Sequence, residues 1–204
     1  MDSAQADLRA FYEEEARQRI RKPLTGRRID VREEFIDLMR REGRRTIIDF
    51  GAGPGRDGEA FASVGLDYVG VDLAHANGVL AAERGVCVVH GSIAAPPFRA
   101  TCFDAGWSMS TLMHLPEADV VAAVTAMTAV LCAGAPLWIG VWGGDQGDII
   151  GEFAIAGHRR LFSLRDVEVN RRLFAECAQV DDVTTWDLGP DEWQYQIFHL
   201  RVAG

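Results

Sequence analysis

The sequence predicts an α/β fold, a mostly parallel sheet held between two layers of helices, and three observations predict it. Thr46 to Gly58, TIIDFGAGPGRDG, reads as a short buried strand, a turn with glycine at 51, 53 and 55, and the start of a helix. From there to Trp142, short apolar runs alternate with segments of helical period, which implies parallel strands joined by right-handed crossovers. The C-terminal part instead holds two runs rich in β-branched and aromatic residues, Val180–Leu188 and Glu192–Val202. They are joined by Gly189-Pro190-Asp191, the pattern of an antiparallel hairpin.

The elements follow in order. Leu8, Phe11, Tyr12, Ala16 and Ile20 lie at helical spacing between Ala4 and Ile20, one apolar stripe on a charged helix that Pro23 and Gly26 end. The adjacent aromatics Phe11 and Tyr12 suit either a lid over a site or plain packing on the core. A second helix starts at Asp30, which with Glu33 has the form of a capping box; it buries Val31, Phe35, Leu38 and Met39 and stops at Gly43. Ile47, Ile48 and Phe50 form the first strand, and the helix after the glycine turn runs to about Val64. Leu66–Leu73 is the second strand, ending in Asp72; Ala74–Arg84 is helical, and Val86–His90 is a third short strand. Phe103–Ser108 is the fourth strand and leads into a loop to His114. Pro116 opens a helix with Val120, Val124, Met127 and Leu131 on one face. Leu137–Trp142 is the fifth strand, Gly143–His158 is less regular, and Ser163 with Asp166 caps a last helix that reaches about Cys177.

At 204 residues the chain suffices for one well-buried domain, 1–204, with 1–45 as an N-terminal helical lid or addition and 46–204 as the αβ core. Hydrophobic residues at 48% and charged residues at 25% describe a soluble globular protein. No apolar run approaches the roughly 20 residues of a membrane span, and the N-terminus lacks an apolar signal core, so a cytoplasmic protein with no membrane partner is expected. The four cysteines stand singly, which points to buried reduced thiols and no metal site. A formal charge of −9 argues against a nucleic-acid partner, which requires a basic footprint. Arg17, Arg19, Arg21, Lys22, Arg27 and Arg28 form a local exception, read as a solvated helix face or as contacts to an anionic group.

A dinucleotide fingerprint wants glycine at the first, third and sixth positions of the turn, and counting from Gly51 the sixth is Arg56. What stands here is Asp49-x-Gly51-x-Gly53-x-Gly55. About 20 positions beyond it, Asp72 ends the next strand, where an acid accepts hydrogen bonds from ribose hydroxyls. Together these residues resemble motif I and its acidic partner in the class I S-adenosylmethionine-dependent methyltransferases of the small-molecule type. The resemblance spans roughly Thr46 to Trp142, with the terminal hairpin agreeing in outline.

That resemblance implies a Rossmann-like three-layer sandwich whose seven-stranded, mostly parallel sheet carries an antiparallel C-terminal hairpin and an N-terminal helical addition. It implies bound S-adenosyl-L-methionine, with S-adenosyl-L-homocysteine as product. Asp49, Gly51, Ala52, Gly53 and Gly55 would form the turn under the methionine end, and Asp72, Leu73, Ser92 and Ile93 would hold the adenosine. Ser92 stands where the family often has an acid. Arg56 suits the methionine carboxylate, though a surface ion pair explains it equally, and Ser108 and Met109 would lie near the methyl group. His114 is the candidate general base, with Tyr12 second. The expected activity is methyl transfer to an oxygen, nitrogen or carbon of a small-molecule acceptor, by a monomer or homodimer. Two alternatives stay open: an NAD(P)-dependent oxidoreductase, and a non-catalytic cofactor-binding or interaction protein of the same fold.

Overall fold

The computed structural model describes residues 3–18, 24, 26–155, 157–187 and 193–204. The chain opens with helices α1 (Ser3–Gln18) and α2 (Gly26–Arg41). The αβ alternation follows as β1 (Thr46–Phe50), α3 (Arg56–Ser63), β2 (Asp67–Asp72), α4 (His75–Glu83), β3 (Val88–His90), β4 (Ala105–Met109), α5 (Glu117–Ala129) and β5 (Pro136–Gly143). Then come β6 (Gly147–Ile155), β7 (His158–Leu164), α6 (Val167–Ala175), β8 (Gln179–Asp187) and β9 (Gln194–Arg201).

The main sheet has seven strands in the order β3-β2-β1-β4-β5-β9-β8. Its first five strands are parallel, and β9 inserts antiparallel between β5 and β8, as expected of the terminal hairpin. Side chains alternate strictly between the two faces. Ile48, Phe50, Leu137, Ile139, Val141, Phe198 and Leu200 pack against α5 and α6, through Val120, Val124, Met127, Leu173 and Phe174. Ile47, Ala105, Trp107, Trp138 and Ile197 pack on the other face against Phe35, Met39 and Phe61 of α2 and α3. The N-terminal α2 is therefore part of the sandwich: Phe35 is fully buried against Phe61, Trp107 and Trp138.

Several expectations need correction. Helix α2 starts at Gly26, so Asp30 and Glu33 lie inside it and form no capping box. The segment after β5 is not irregular: β6 and β7 pair antiparallel as a separate two-stranded sheet. Ser163 belongs to β7 and donates to Asp148, while Asp166 alone caps α6, its carboxylate accepting from the Val169 N–H at 2.8 Å. Cys87 and Cys102 are exposed rather than buried, because both lie in connecting segments outside the strands. Of the two stops expected for the first helix, Gly26 opens α2; Pro23, like Ile20 and the Gly189-Pro190-Asp191 turn, lies outside the described residues. Among the described residues no helix is long and apolar enough to cross a membrane.

Candidate functional site

The parallel strands end on one edge of the sheet, and there a crevice opens. Gly51 follows β1, Asp72 and Leu73 end β2, Gly91, Ser92, Ile93 and Ala94 follow β3, and Ser110 and Thr111 follow β4. This is where an open α/β sheet binds ligands. Gln5, Leu8 and Tyr12 of α1 close the crevice from above, and His114 and Leu115 complete its wall.

The glycine turn is forced by both torsion and space. Gly51 and Gly55 have φ of 78° and 73°, in the left-handed region that side chains resist. A Cβ on Gly51 would stand 2.1 Å from Thr111 Oγ1, and one on Gly55 would stand 2.6 Å from Val86. Asp72 then ties the turn to β2. Its carboxylate accepts from the N–H of Gly53 at 2.8 Å, the N–H of Ala74 at 2.9 Å and the Asn77 amide at 3.0 Å. Three of a carboxylate's roughly four lone-pair positions are thus taken, which leaves one for a donor in the crevice.

Asp49 is placed differently. It is buried on the α2 and α3 side of β1, accepts from the Tyr68 hydroxyl at 3.1 Å, and does not line the crevice. Burial first, then the Asp57 charge, push its carboxyl well above the usual range, against the Tyr68 bond and Arg28. Asp57, in the first turn of α3, is held by Arg28 at 3.1 Å, Arg32 at 3.4 Å and the Trp107 indole N–H at 3.1 Å. Arg28 is therefore neither a solvated face nor a contact in the crevice, but a strut beneath the turn.

Arg56, Ser108 and Met109 also lie outside the crevice lining. Arg56 faces a neighbouring hollow formed with Glu15, Asn77, Glu83 and Arg84. Ser108 is fully buried and donates to the Phe50 carbonyl at 2.9 Å, while Met109 packs on Gly140 and Tyr195. The residues of this strand end that reach the crevice are the next two, Ser110 and Thr111. Ser110 takes a left-handed φ of 59° and bonds the Tyr195 hydroxyl at 2.8 Å. A left-handed serine carries no sequence signal.

His114 and Tyr12, 102 residues apart, meet in the wall of the crevice. The Tyr12 hydroxyl lies 2.7 Å from His114 Nε2, and His114 Nδ1 lies 2.8 Å from the Leu161 carbonyl of β7. A carbonyl only accepts, so Nδ1 carries a proton, and Nε2 shares a hydrogen bond with the Tyr12 hydroxyl. Arg160 donates to the Tyr12 oxygen at 3.3 Å and lies over the rings of Phe11 and Phe162 at 4.0 and 4.9 Å. His114 sits in a 3-10 turn, Leu112–His114, which Arg165 clamps by donating to the carbonyls of Leu112 and Leu115 at 3.0 and 3.1 Å. Asn170 and Gln196 complete that buried network. Arg160 and Arg165 come from a region whose structure the sequence did not reveal.

Helix α1 bridges the crevice. Its Glu13 carboxylate accepts from the N–H groups of His75 and Ala76 at 2.7 and 3.0 Å, at the start of α4. Its Tyr12 and Phe11 engage His114 and Arg160 on the other side. The donor set beneath suits an adenosyl group: a carboxylate for a ribose hydroxyl, apolar Leu73 and Ile93 for a flat base, and backbone without Cβ at Gly51 and Gly91.

Residues 47–134 match the family described as a methyltransferase domain. An uncharacterised methyltransferase of Mycobacterium sp. (strain JLS) is 31% identical over 110 residues, 51% of this chain and 44% of its own length. One from Mycobacterium avium (strain 104) is 33% identical over 111 residues, 50% and 44% of the two chains. The match thus covers less than half the length of these curated relatives. Among solved structures, the 1,6-didemethyltoxoflavin-N1-methyltransferase of Burkholderia thailandensis, with bound 1,6-didemethyltoxoflavin and S-adenosylhomocysteine, superposes with TM-score 0.74. The identity is 19%, over 100% of this chain and 92% of that one. A methyltransferase of Methanosarcina mazei gives 0.70 at 15% identity, over 79% and 94%. At these identities the structural likeness bears on the fold.

Proposed function

We propose that this chain, whose residues 47–134 match a methyltransferase-domain family, is a class I S-adenosylmethionine-dependent methyltransferase that moves a methyl group to an oxygen, nitrogen or carbon of a small molecule. The observation that carries the reading is the crevice at the strand ends, where the glycine turn, Asp72 with Leu73, and Ser92 with Ile93 converge under α1.

In this reading Asp72 accepts from a ribose hydroxyl, and Leu73 and Ile93 flank the base, with the Ser92 hydroxyl at its edge. Gly51, Ala52 and Gly53 give the methionine end a surface free of bulky side chains. Asp49 acts from beneath the turn as a buried acid and not as a direct ligand. The bound donor supplies a methyl group already activated on a sulfonium, so the protein's task is to orient the acceptor and exclude water. Helix α1 excludes water, and Tyr12 with His114 can take a proton from an acceptor that must lose one.

Titration calorimetry with S-adenosylhomocysteine tests the reading. Saturable binding in the micromolar range is expected, with no comparable heat from the reduced nicotinamide dinucleotide. Absence of binding at millimolar ligand would overturn it. Asp72→Ala is a poor first probe, because the carboxylate also holds Gly53 and Ala74; its affinity is interpretable only beside a thermal melt showing a folded protein.

A further inference from the structure

The end of β4 carries backbone strain into the crevice. Of the two described non-glycine residues with left-handed φ, Thr101 and Ser110, only Ser110 lines the crevice. A serine resists that region where a glycine does not, so something must hold it there. We infer, resting on the methyl-donor reading above, that Tyr195 is a positioning residue of the donor site. Its hydroxyl, braced by Arg28, holds Ser110 in the left-handed conformation that turns Thr111 onto the glycine turn and completes the crevice wall.

Ser110 is held from two sides. Its N–H donates to the Gly140 carbonyl of β5 at 2.7 Å, and its hydroxyl shares a hydrogen bond of 2.8 Å with the Tyr195 hydroxyl. Rotation about φ leaves the N–H in place but swings the side chain and the following peptide, so the hydroxyl bond is the one that selects the torsion. Tyr195, on β9, is itself fixed. It is buried, its ring stacks on Trp186 at 4.8 Å, and its oxygen accepts from Arg28 of α2 at 2.5 Å, since a guanidinium only donates. Asp57 anchors Arg28 in turn at 3.1 Å. Gly140 makes room for the Tyr195 hydroxyl, because a Cβ there would stand 2.8 Å from its oxygen.

The torsion matters because of the residue that follows. Thr111 lies against the glycine turn: its hydroxyl donates to the Phe50 carbonyl at 3.2 Å, and a Cβ on Gly51 would collide with it. Ser110 and Thr111 thus border the crevice beside Gly51, at the methionine end of the donor in the reading above. If Ser110 leaves the left-handed region, Thr111 leaves that wall. Only the fraction of molecules with the wall in place then binds the donor tightly, and the apparent affinity falls by that fraction.

Titration calorimetry of the full chain with S-adenosylhomocysteine, beside a thermal melt of each variant, tests the assignment. Tyr195→Phe keeps the ring and removes the hydroxyl, and should weaken binding about fivefold to tenfold. Adding Ser110→Gly to Tyr195→Phe should recover most of the affinity, because glycine takes the left-handed torsion without strain. A merely structural Tyr195 would lower the melting temperature without that recovery. Should Tyr195→Phe not fold, Ser110→Ala and Ser110→Gly decide the matter, since both leave Tyr195 and Arg28 paired. Ser110→Ala keeps the strain and should bind about fivefold more weakly than the parent, with Ser110→Gly tighter than Ser110→Ala. Unchanged affinity in Tyr195→Phe or Ser110→Ala, or a loss that glycine at position 110 does not restore, overturns the inference. If the parent chain itself fails to bind S-adenosylhomocysteine, the methyl-donor reading has failed instead, so the two failures are distinguishable.

Discussion

At the scale of single residues, the site rests on two carboxylates that the motif presents alike and the fold treats differently. Asp72 stands at the crevice mouth with hydrogen bonds to three N–H groups, whereas Asp49 is buried behind β1 with the Tyr68 hydroxyl as its donor. Burial, then the Asp57 charge, raise the Asp49 carboxyl well above its ordinary range. A raised carboxyl binds a proton more tightly folded than unfolded, so its contribution is fully present below the unfolded value near about pH 4 and is lost as pH rises through the folded one. Asp49→Asn mimics the protonated form and escapes that loss. The variant should be more stable than the parent in urea at neutral pH, with the difference shrinking as the pH is lowered toward 4. A gap that widens on acidification would contradict the assignment.

At the scale of elements, α1 matters most, because it is fixed at both sides of the crevice by different chemistry. On one side Glu13 caps α4, where the free N–H groups and the helix dipole favour a carboxylate; on the other, Tyr12 and Phe11 meet His114 and Arg160. Glu13→Ala should weaken closure by about 1 kcal/mol, roughly fivefold in the closed-to-open ratio. Amide hydrogen exchange in α1 should accelerate to match, while the strands of the main sheet stay protected. Unchanged exchange in α1 would mean that Glu13 does not hold it. The sequence left the aromatic pair open between lid and packing, and the structure gives it both roles: Phe11 is buried under Arg160 while Tyr12 faces the crevice. The β6–β7 sheet, whose first strand falls in the stretch read as less regular, supplies Arg160 and Leu161 from its second. Its pairing is local to itself and separate from the main sheet, so the αβ alternation gave no hint of it.

At the scale of the molecule, the two faces of the sheet are closed by different helices, and the face under the glycine turn depends on α2. Phe35 lies fully buried among Phe61, Trp107 and Trp138, so Phe35→Ala should cost about 3–5 kcal/mol by chemical denaturation. A cost below about 1 kcal/mol would mean α2 is only an appendage. By itself the sequence determined the layered α/β class, the strands β1 to β5, the glycine turn, Asp72 at the end of β2 and the terminal hairpin. Those features are written in local signals: period-2 or period-3.6 burial, left-handed torsions that require glycine, and turn residues. Only the tertiary structure decided that Tyr12 meets His114, that Arg160 and Arg165 stand behind them, that Ser110 and Thr111 replace Ser108 and Met109 at the crevice, and that Asp49 lies beneath the turn. Each of these is a contact between segments far apart in the chain, or a choice of sheet face. Burial and charge pairing in three dimensions fix such contacts, and no spacing along the sequence encodes them.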